Sequence, residues 1–367
     1  MRGELVELVG QLVAIESVNP VLIPGAPGEA AIARFVADWL RDRGLEAEIE
    51  EVAPGRPNVI AVAPGSGGGR SLLLNAHTDT VGLTGTTDGL RLRVEDGRLY
   101  GRGAYDMKAS LAVIMLVAVE AACRSLAGDV TLTAVADEEA TSVGTEAVVA
   151  RLRADGAVVV EPTELAVAVA HRGFVWVEIE VRGVAAHGSR YDLGVDAIAR
   201  MGRVLAGLEQ LDRSLREDRP LHPLLGGASI HAAMIEGGEG ISTYPDRCVL
   251  QLERRTLPGE TQADVEREAR ELLADLDGTV RVRFGREPLE TSPDEEIVAV
   301  LSRHAGAAEH VGVPFWTDAA LLAEAGIPTA VFGPAGDGAH ADVEWVDLES
   351  VERCHDVLLA TALEFCG

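Results

Sequence analysis

With 367 residues, 47% of them hydrophobic and 25% charged, the chain has a globular make-up and exceeds the size that one hydrophobic core normally serves. Two domains are therefore expected and no long disordered stretch. Its 32 basic against 59 acidic residues give a formal charge of −27, which repels a phosphate backbone and an anionic membrane surface alike, so neither is expected as a partner.

Met1 is followed by Arg2, Gly3 and Glu4 and then by an amphipathic run. No apolar stretch there is long enough for a signal peptide or a membrane span, so a cytoplasmic protein is expected. Residues 5–17 and 29–43 carry apolar side chains at helical spacing, while 58–63 and 71–76 are short apolar runs suited to buried strands. Between those strands, PGSGGGR at 64–70 reads as a turn, and the absence of a following helix argues against a phosphate cradle. A long apolar helix over 107–125, a strand over 129–136, a helix over 142–153 and a strand over 157–160 complete an α/β alternation. That order predicts a mostly parallel sheet covered by helices, with sites gathered at the carboxyl ends of its strands.

From about Phe174 the texture changes. Residues 174–181 alternate apolar and polar, as a strand with one wet face does. A helix over 195–208, a proline-containing polar loop over 214–223, strands over 228–235 and 247–253 and a helix over 262–273 follow, which reads as an inserted α+β unit. The α/β pattern resumes with Thr317 as an N-cap, a helix over 318–325 stopped at Gly326, a strand over 329–332 and a closing helix over 348–365. The expected domains are thus 1–172 and 286–367 as a discontinuous α/β domain, with 173–285 inserted.

Cys123, Cys248, Cys354 and Cys366 are scattered without a CxxC pair, which suggests neither a disulfide framework nor a thiolate metal site. Lys108 is the one lysine of the chain and follows no GxxxxGK[ST] run, so a P-loop is absent; no GxGxxG opens a helix after a strand, which argues against a nucleotide-binding oxidoreductase.

The strand ends carry the chemistry. The run 71–76 leads into His77 and Asp79, the loop at Gly101 and Gly103 into Asp106, the run 131–136 into Asp137, Glu138 and Glu139, and the run 157–160 into Glu161. A Gly-rich loop after 329–332 carries His340. Taken singly, a strand-end carboxylate is usually a helix cap or a solvated charge, and a lone histidine is usually structural. Taken together, two histidines and three carboxylates on one rim need a cation to stay ionised. Imidazole with carboxylate suits zinc, cobalt or manganese rather than copper(I) or iron–sulfur. Five ligands exceed what one tetrahedral zinc with an open position takes, whereas two metals sharing a carboxylate use all five. A base is then needed; Glu138, beside the ligand candidate Glu139 but directed elsewhere, fits, and Asp79 is placed to orient the His77 imidazole.

The segments AHTDTV (76–81), GRGAYDMKAS (101–110), DEEATSVGTE (137–146), EPT (161–163), VRGVAAHGS (181–189) and GAHADVEWV (338–346) resemble, in order and over nearly the whole chain, those of the M20 metallopeptidases. The resemblance implies a zinc-peptidase-like catalytic domain with an inserted α+β lid and dimerisation domain, hence a possible homodimer. It implies one zinc held by His77, Asp106 and Glu161 and another by Asp106, Glu139 and His340, with Asp106 as bridge and Glu138 as base. It also implies a cis peptide between Asp106 and Met107. His187, in AAHGS, matches the position that supports the tetrahedral oxyanion, and Arg255, in ERRTLPGE, the arginine that binds the substrate carboxylate; a guanidinium fork suits that planar anion. One departure is Ser242 in GGEGISTYP (237–245), where many relatives carry asparagine.

By the same resemblance Glu161, rather than aspartate, points to the family's acylases and carboxypeptidases. The layout is closest to its acetylornithine deacetylase and desuccinylase branch, so the expected substrate is an N-acyl amino acid. The runner-up is a metallo-carboxypeptidase or dipeptidase acting on a short peptide. A non-catalytic ligand-binding relative would have lost a ligand or the base, and all six positions are filled here.

Overall fold

The computed structural model describes residues 2–86 and 88–367, and the chain divides into two compact units. One comprises Met1–Val169, Thr291–Val311 and Thr317–Gly367; the other comprises Ala170–Glu290 and Gly312–Trp316.

The first unit is built on a mixed sheet with strands in the order Glu46–Ala53, Arg56–Ala63, Val130–Val135, Leu72–His77, Gly156–Val159 and Thr329–Val331. The last four run parallel to one another, whereas the first two form an antiparallel hairpin that joins them through Val59–Ala63. Every residue of Leu72–His77 and Gly156–Val159 is buried, as befits strands covered on both faces. Ala109–Ala122 has no polar face to offer and is buried along nearly its whole length. Ala30–Arg41 instead buries Ile32, Val36, Trp39 and Leu40 at helical spacing and leaves its other side wet. These helices, with Arg2–Val13 and Leu348–Phe365, close one continuous apolar core.

The second unit has a four-stranded antiparallel sheet, ordered Ser229–Gly237, Arg247–Thr256, Gly173–Arg182 and Gly278–Arg286. Val175, Val177, Ile179 and Val181 alternate into a separate core with Met201 and Val204 from helix Ala197–Glu217 and Val265 from helix Gln262–Leu273. Both helices have side-chain caps: Asp196 accepts from Ala199 N, and Thr261 and Asp264 form a reciprocal capping box.

Residues 64–70 turn as expected, and Val130–Val135 lies between the strands they connect, with Ser66 N and Gly67 N donating to Leu126 O and Ala127 O. Several other expectations need correction. The helix expected from 107 begins at Ala109, since Asp106 and Met107 have non-helical dihedrals and the peptide bond between them is cis. Residues 214–217 continue helix Ala197–Glu217 rather than start a loop, with Leu215 buried against the second core. Thr317 Oγ1 accepts from Ala319 N, but it is Asp318 that stands immediately before helix Ala319–Glu324. Strands Glu46–Ala53 and Gly278–Arg286, helix Glu296–Ala305 and a small sheet of Arg93–Glu95, Arg98–Tyr100, Gly336–Asp337 and Trp345–Asp347 were not anticipated. Among the described residues no helix is long and apolar enough to cross a membrane.

Candidate metal centre

Three neighbouring parallel strands end on the same side of the sheet. His77 is the last residue of Leu72–His77, Glu138 and Glu139 follow Val130–Val135, and Glu161 follows Gly156–Val159. Adjacent strands lie about 4.8 Å apart, so side chains just beyond their ends are within reach of one another. Asp106 and His340 arrive from the small sheet: the first leaves it after Tyr100, and the second lies in the loop between Gly336–Asp337 and Trp345–Asp347. In the approach to Asp106, Gly103 has φ +72°, and a Cβ there would stand 2.7 Å from Thr80 Cγ2.

The five candidate ligands converge. His77 Nε2 lies 3.0 Å from Asp106 Oδ1 and 3.7 Å from Glu161 Oε1. His340 Nε2 lies 2.9 Å from Glu139 Oε2 and 3.4 Å from Asp106 Oδ2, so Asp106 turns one oxygen to each imidazole. Potential ligand atoms of His77, Glu138 and Glu161 fall within 4.8 Å of one another, as do those of His77, Asp106 and Glu139. Glu138 and Glu139, though consecutive, therefore belong to different groupings. His77 is fully enclosed, whereas the His340 side chain is 54% exposed.

The electrostatics register the crowding. Burial, and next the charge of Glu161, push the Glu138 carboxyl well above its ordinary value. Burial lifts Glu161 in the same way, and burial with the charge of Asp106 lifts Glu139. Burial opposes the His77 imidazolium, but the Asp106 hydrogen bond and the charges of Glu161, Asp106 and Asp79 outweigh it and raise its pKa. Hydrogen bonds with Asp106 and Glu139 carry His340 up to about 10. Among the described residues no lysine or arginine pairs with any of the four carboxylates. Negative groups thus outnumber the available cations at a site that is enclosed on its His77 side and open at His340, and the oxygen and imidazole donors are those a divalent ion of the zinc type takes.

Asp79 is the hub beneath the site. Its carboxylate accepts from Glu138 N and Glu139 N, each at 3.2 Å, and from Asn19 Nδ2 at 2.7 Å. The nearest partner of His77 Nδ1 is the Asp79 main-chain carbonyl at 2.9 Å, and the Asp79 carboxylate is 3.6 Å away. Asn19 also donates to Asp137, which shares the Arg56 guanidinium with Glu29 in a buried network. Sequence reasoning missed Asn19, Arg56, Asp318 and Glu344. Asp318 is buried, accepts from Thr145 Oγ1 at 2.6 Å, and is raised to about 6, chiefly by burial. Glu344 lies within the family-like segment 338–346 without being singled out there, and Asn19, Arg56 and Asp318 carry no motif that separates them from ordinary polar positions.

His187 and Arg255 belong to the second unit. His187 is exposed with Nδ1 2.8 Å from Ser189 Oγ, and its loop joins the segment of Ser242, since Gly188 N donates to Ser242 O at 2.7 Å. Arg255 is paired with Glu253 and lies over the Phe174 ring, while Arg254 is buried on the opposite face between Glu260 and Glu268. His222, His304, His310 and His355 bond to Glu290, Glu364, Ser302 and Glu120 respectively, none of which is in the convergent set.

An acetylornithine deacetylase of Myxococcus xanthus is 35% identical over alignments covering 100% of this chain and 98% of its own, and one of Proteus mirabilis is 30% identical over 98% and 96%. Among solved structures, an aminopeptidase of Bacillus cereus superposes with a TM-score of 0.80 at 19% identity, covering 100% of this chain and 99% of that one. A dinuclear metal-binding peptidase of the M20 family from Bacillus subtilis gives 0.72 at 18%, covering 99% of each. Residues 73–364 match Peptidase family M20/M25/M40. A parallel sheet that ends in a shared cluster of imidazoles and carboxylates, read with these matches, makes the chain a member of that family, whose metal-dependent hydrolases act on amide bonds.

Proposed function

We propose that the chain is a two-metal amidohydrolase that removes the acyl group from an N-acyl amino acid. The observation that carries this reading is the convergence of His77, Asp106, Glu139, Glu161 and His340, with a further carboxylate, Glu138, grouped with His77 and Glu161 and paired to no lysine or arginine among the described residues. The acetylornithine deacetylases to which the chain aligns end to end favour an acyl amino acid over a peptide.

His77, Asp106 and Glu161 would hold one metal, and Asp106, Glu139 and His340 the other, with Asp106 shared. The donor set fits zinc, and cobalt or manganese by the same chemistry. Such a pair, when bound, lowers the pKa of water and polarises the scissile carbonyl. The protein supplies the remainder. Glu138, held by its backbone on Asp79, takes the proton of the attacking water and returns it to the departing amine. Asp79 fixes both the His77 ring, through its carbonyl, and the Glu138–Glu139 backbone, through its carboxylate. His187 is assigned to the developing oxyanion and Arg255 to the free carboxylate of the substrate, with the Glu253 partnership exchanged for a bidentate grip. The second unit also provides the surface for a homodimer.

A panel of acetyl, succinyl and formyl amino acids beside dipeptides, assayed with the zinc and cobalt forms, tests the reading. Hydrolysis of at least one acyl amino acid in preference to every dipeptide is expected. Preference for dipeptides would reassign the chain to the peptidases on the same scaffold.

A further inference from the structure

Asp106 and His340 are distant in sequence and come from separate loops, yet they stand within reach of each other. Their side chains meet at the centre, but His340 sits on an exposed loop, so the separation of the two loops needs a further support. A buried pair lies beneath them. Glu344 Oε1 accepts from Tyr105 N at 2.9 Å and Asp106 N at 3.1 Å. Glu344 Oε2 accepts from Gly103 N at 2.9 Å and from Arg102 Nη1 at 2.8 Å. Arg102 in turn donates Nη2 to Ala341 O, next to His340, at 2.9 Å and Nε to Gly82 O at 3.1 Å. Both side chains are almost wholly enclosed.

From this we infer that Glu344 and Arg102 are positioning residues that clamp the Asp106 loop to the His340 loop and so set the affinity for metal at the candidate centre. The inference rests on the two-metal reading above. The chemistry is one-sided: all four groups that meet Glu344 are donors, two to each oxygen. A carboxamide keeps one acceptor oxygen and turns an NH2 toward two N–H groups, so even an isosteric change breaks half of the clamp. The two members differ in what they hold. Glu344 grips the backbone of Asp106, the residue that faces both imidazoles, whereas Arg102 is the one that reaches the main chain beside His340. Loosening Arg102 therefore frees one side of the centre, and loosening Glu344 disturbs its shared member.

The test is zinc titration of chelator-stripped full-length protein, followed by calorimetry, with the unfolding temperature of the metal-free form measured separately. Residues that only orient ligands change metal affinity by roughly 10- to 100-fold, so R102K should weaken one of two zinc-binding events by at least about ten-fold and E344Q both. R102K keeps a buried positive charge but gives up the fork that reaches Glu344, Ala341 and Gly82 together. A merely structural role would lower the unfolding temperature and leave zinc affinity unchanged. Wild-type zinc affinity in both folded variants, or equal weakening of both events in R102K, would overturn the clamp; should E344Q not fold, R102K decides alone. A wild-type protein that takes up no zinc would instead overturn the two-metal reading and this inference with it.

Discussion

Glu138 and Glu139 are consecutive, chemically identical and fed by the same strand, yet their surroundings divide them. Glu139 faces His340 and Asp106, while Glu138 groups with His77 and Glu161. The Asp79 carboxylate imposes the division by holding one backbone N–H of each. Replacing Glu138 by glutamine should leave zinc content at the wild-type level and lower turnover by roughly 10²- to 10⁴-fold, the range for a general base; near-normal turnover would remove Glu138 from proton transfer. Arg255→Ala should raise KM for substrates with a free carboxylate and leave kcat within a few fold, checked by steady-state kinetics on matched acid and amide substrates. An unchanged KM would take Arg255 out of substrate binding. At this scale the sequence announced the titratable residues by their place after apolar runs, but not Asn19 or Glu344. Their importance lies in which groups they meet, the carboxylates of Asp79 and Asp137 for Asn19 and main-chain N–H groups for Glu344, and that is a property of folded loops.

At the scale of elements, the central strands and the apolar helix were readable because burial on both faces demands unbroken runs of apolar residues. Ala109–Ala122 backs the sheet whose ends present the site, and its Leu111 is wholly enclosed. Leu111→Ala should cost about 2–5 kcal/mol of stability by leaving a cavity, measured by urea unfolding of the metal-free protein. A loss much below that range would mean that the surrounding core closes around the gap. Elements with less regular patterns escaped notice. Glu46–Ala53 is half acidic and lies at the sheet edge, where one partner strand suffices, and its signal was the turn at Pro54–Gly55 rather than its own composition. Gly278–Arg286 alternates Val280, Val282 and Phe284 with arginines, a period-2 pattern that was there to be read. The three-residue strands of the small sheet are too short for any periodicity, yet they are the elements that deliver Asp106 and His340.

At the scale of the molecule, the second unit has an open edge. Ser229–Gly237 is the outer strand of its sheet and exposes Met234 and Ile235, with Ile198 exposed on the adjoining helix. An unprotected apolar edge invites pairing with another copy, which is the surface on which the proposed homodimer would form. Ile235→Glu should shift the protein from dimer to monomer in sedimentation velocity while zinc content stays constant. A wild-type protein that is monomeric at micromolar concentration would sink the dimer.

The sequence alone determined which residue types are available, the alternation that makes a parallel sheet with an inserted α+β unit, and the sign of the surface charge, since these follow from patterns along the chain. Only the tertiary structure decided which carboxylate faces which imidazole, which loop is tied to which, and which side of the centre is enclosed. Those are distances between segments far apart in the chain, and no periodicity encodes them.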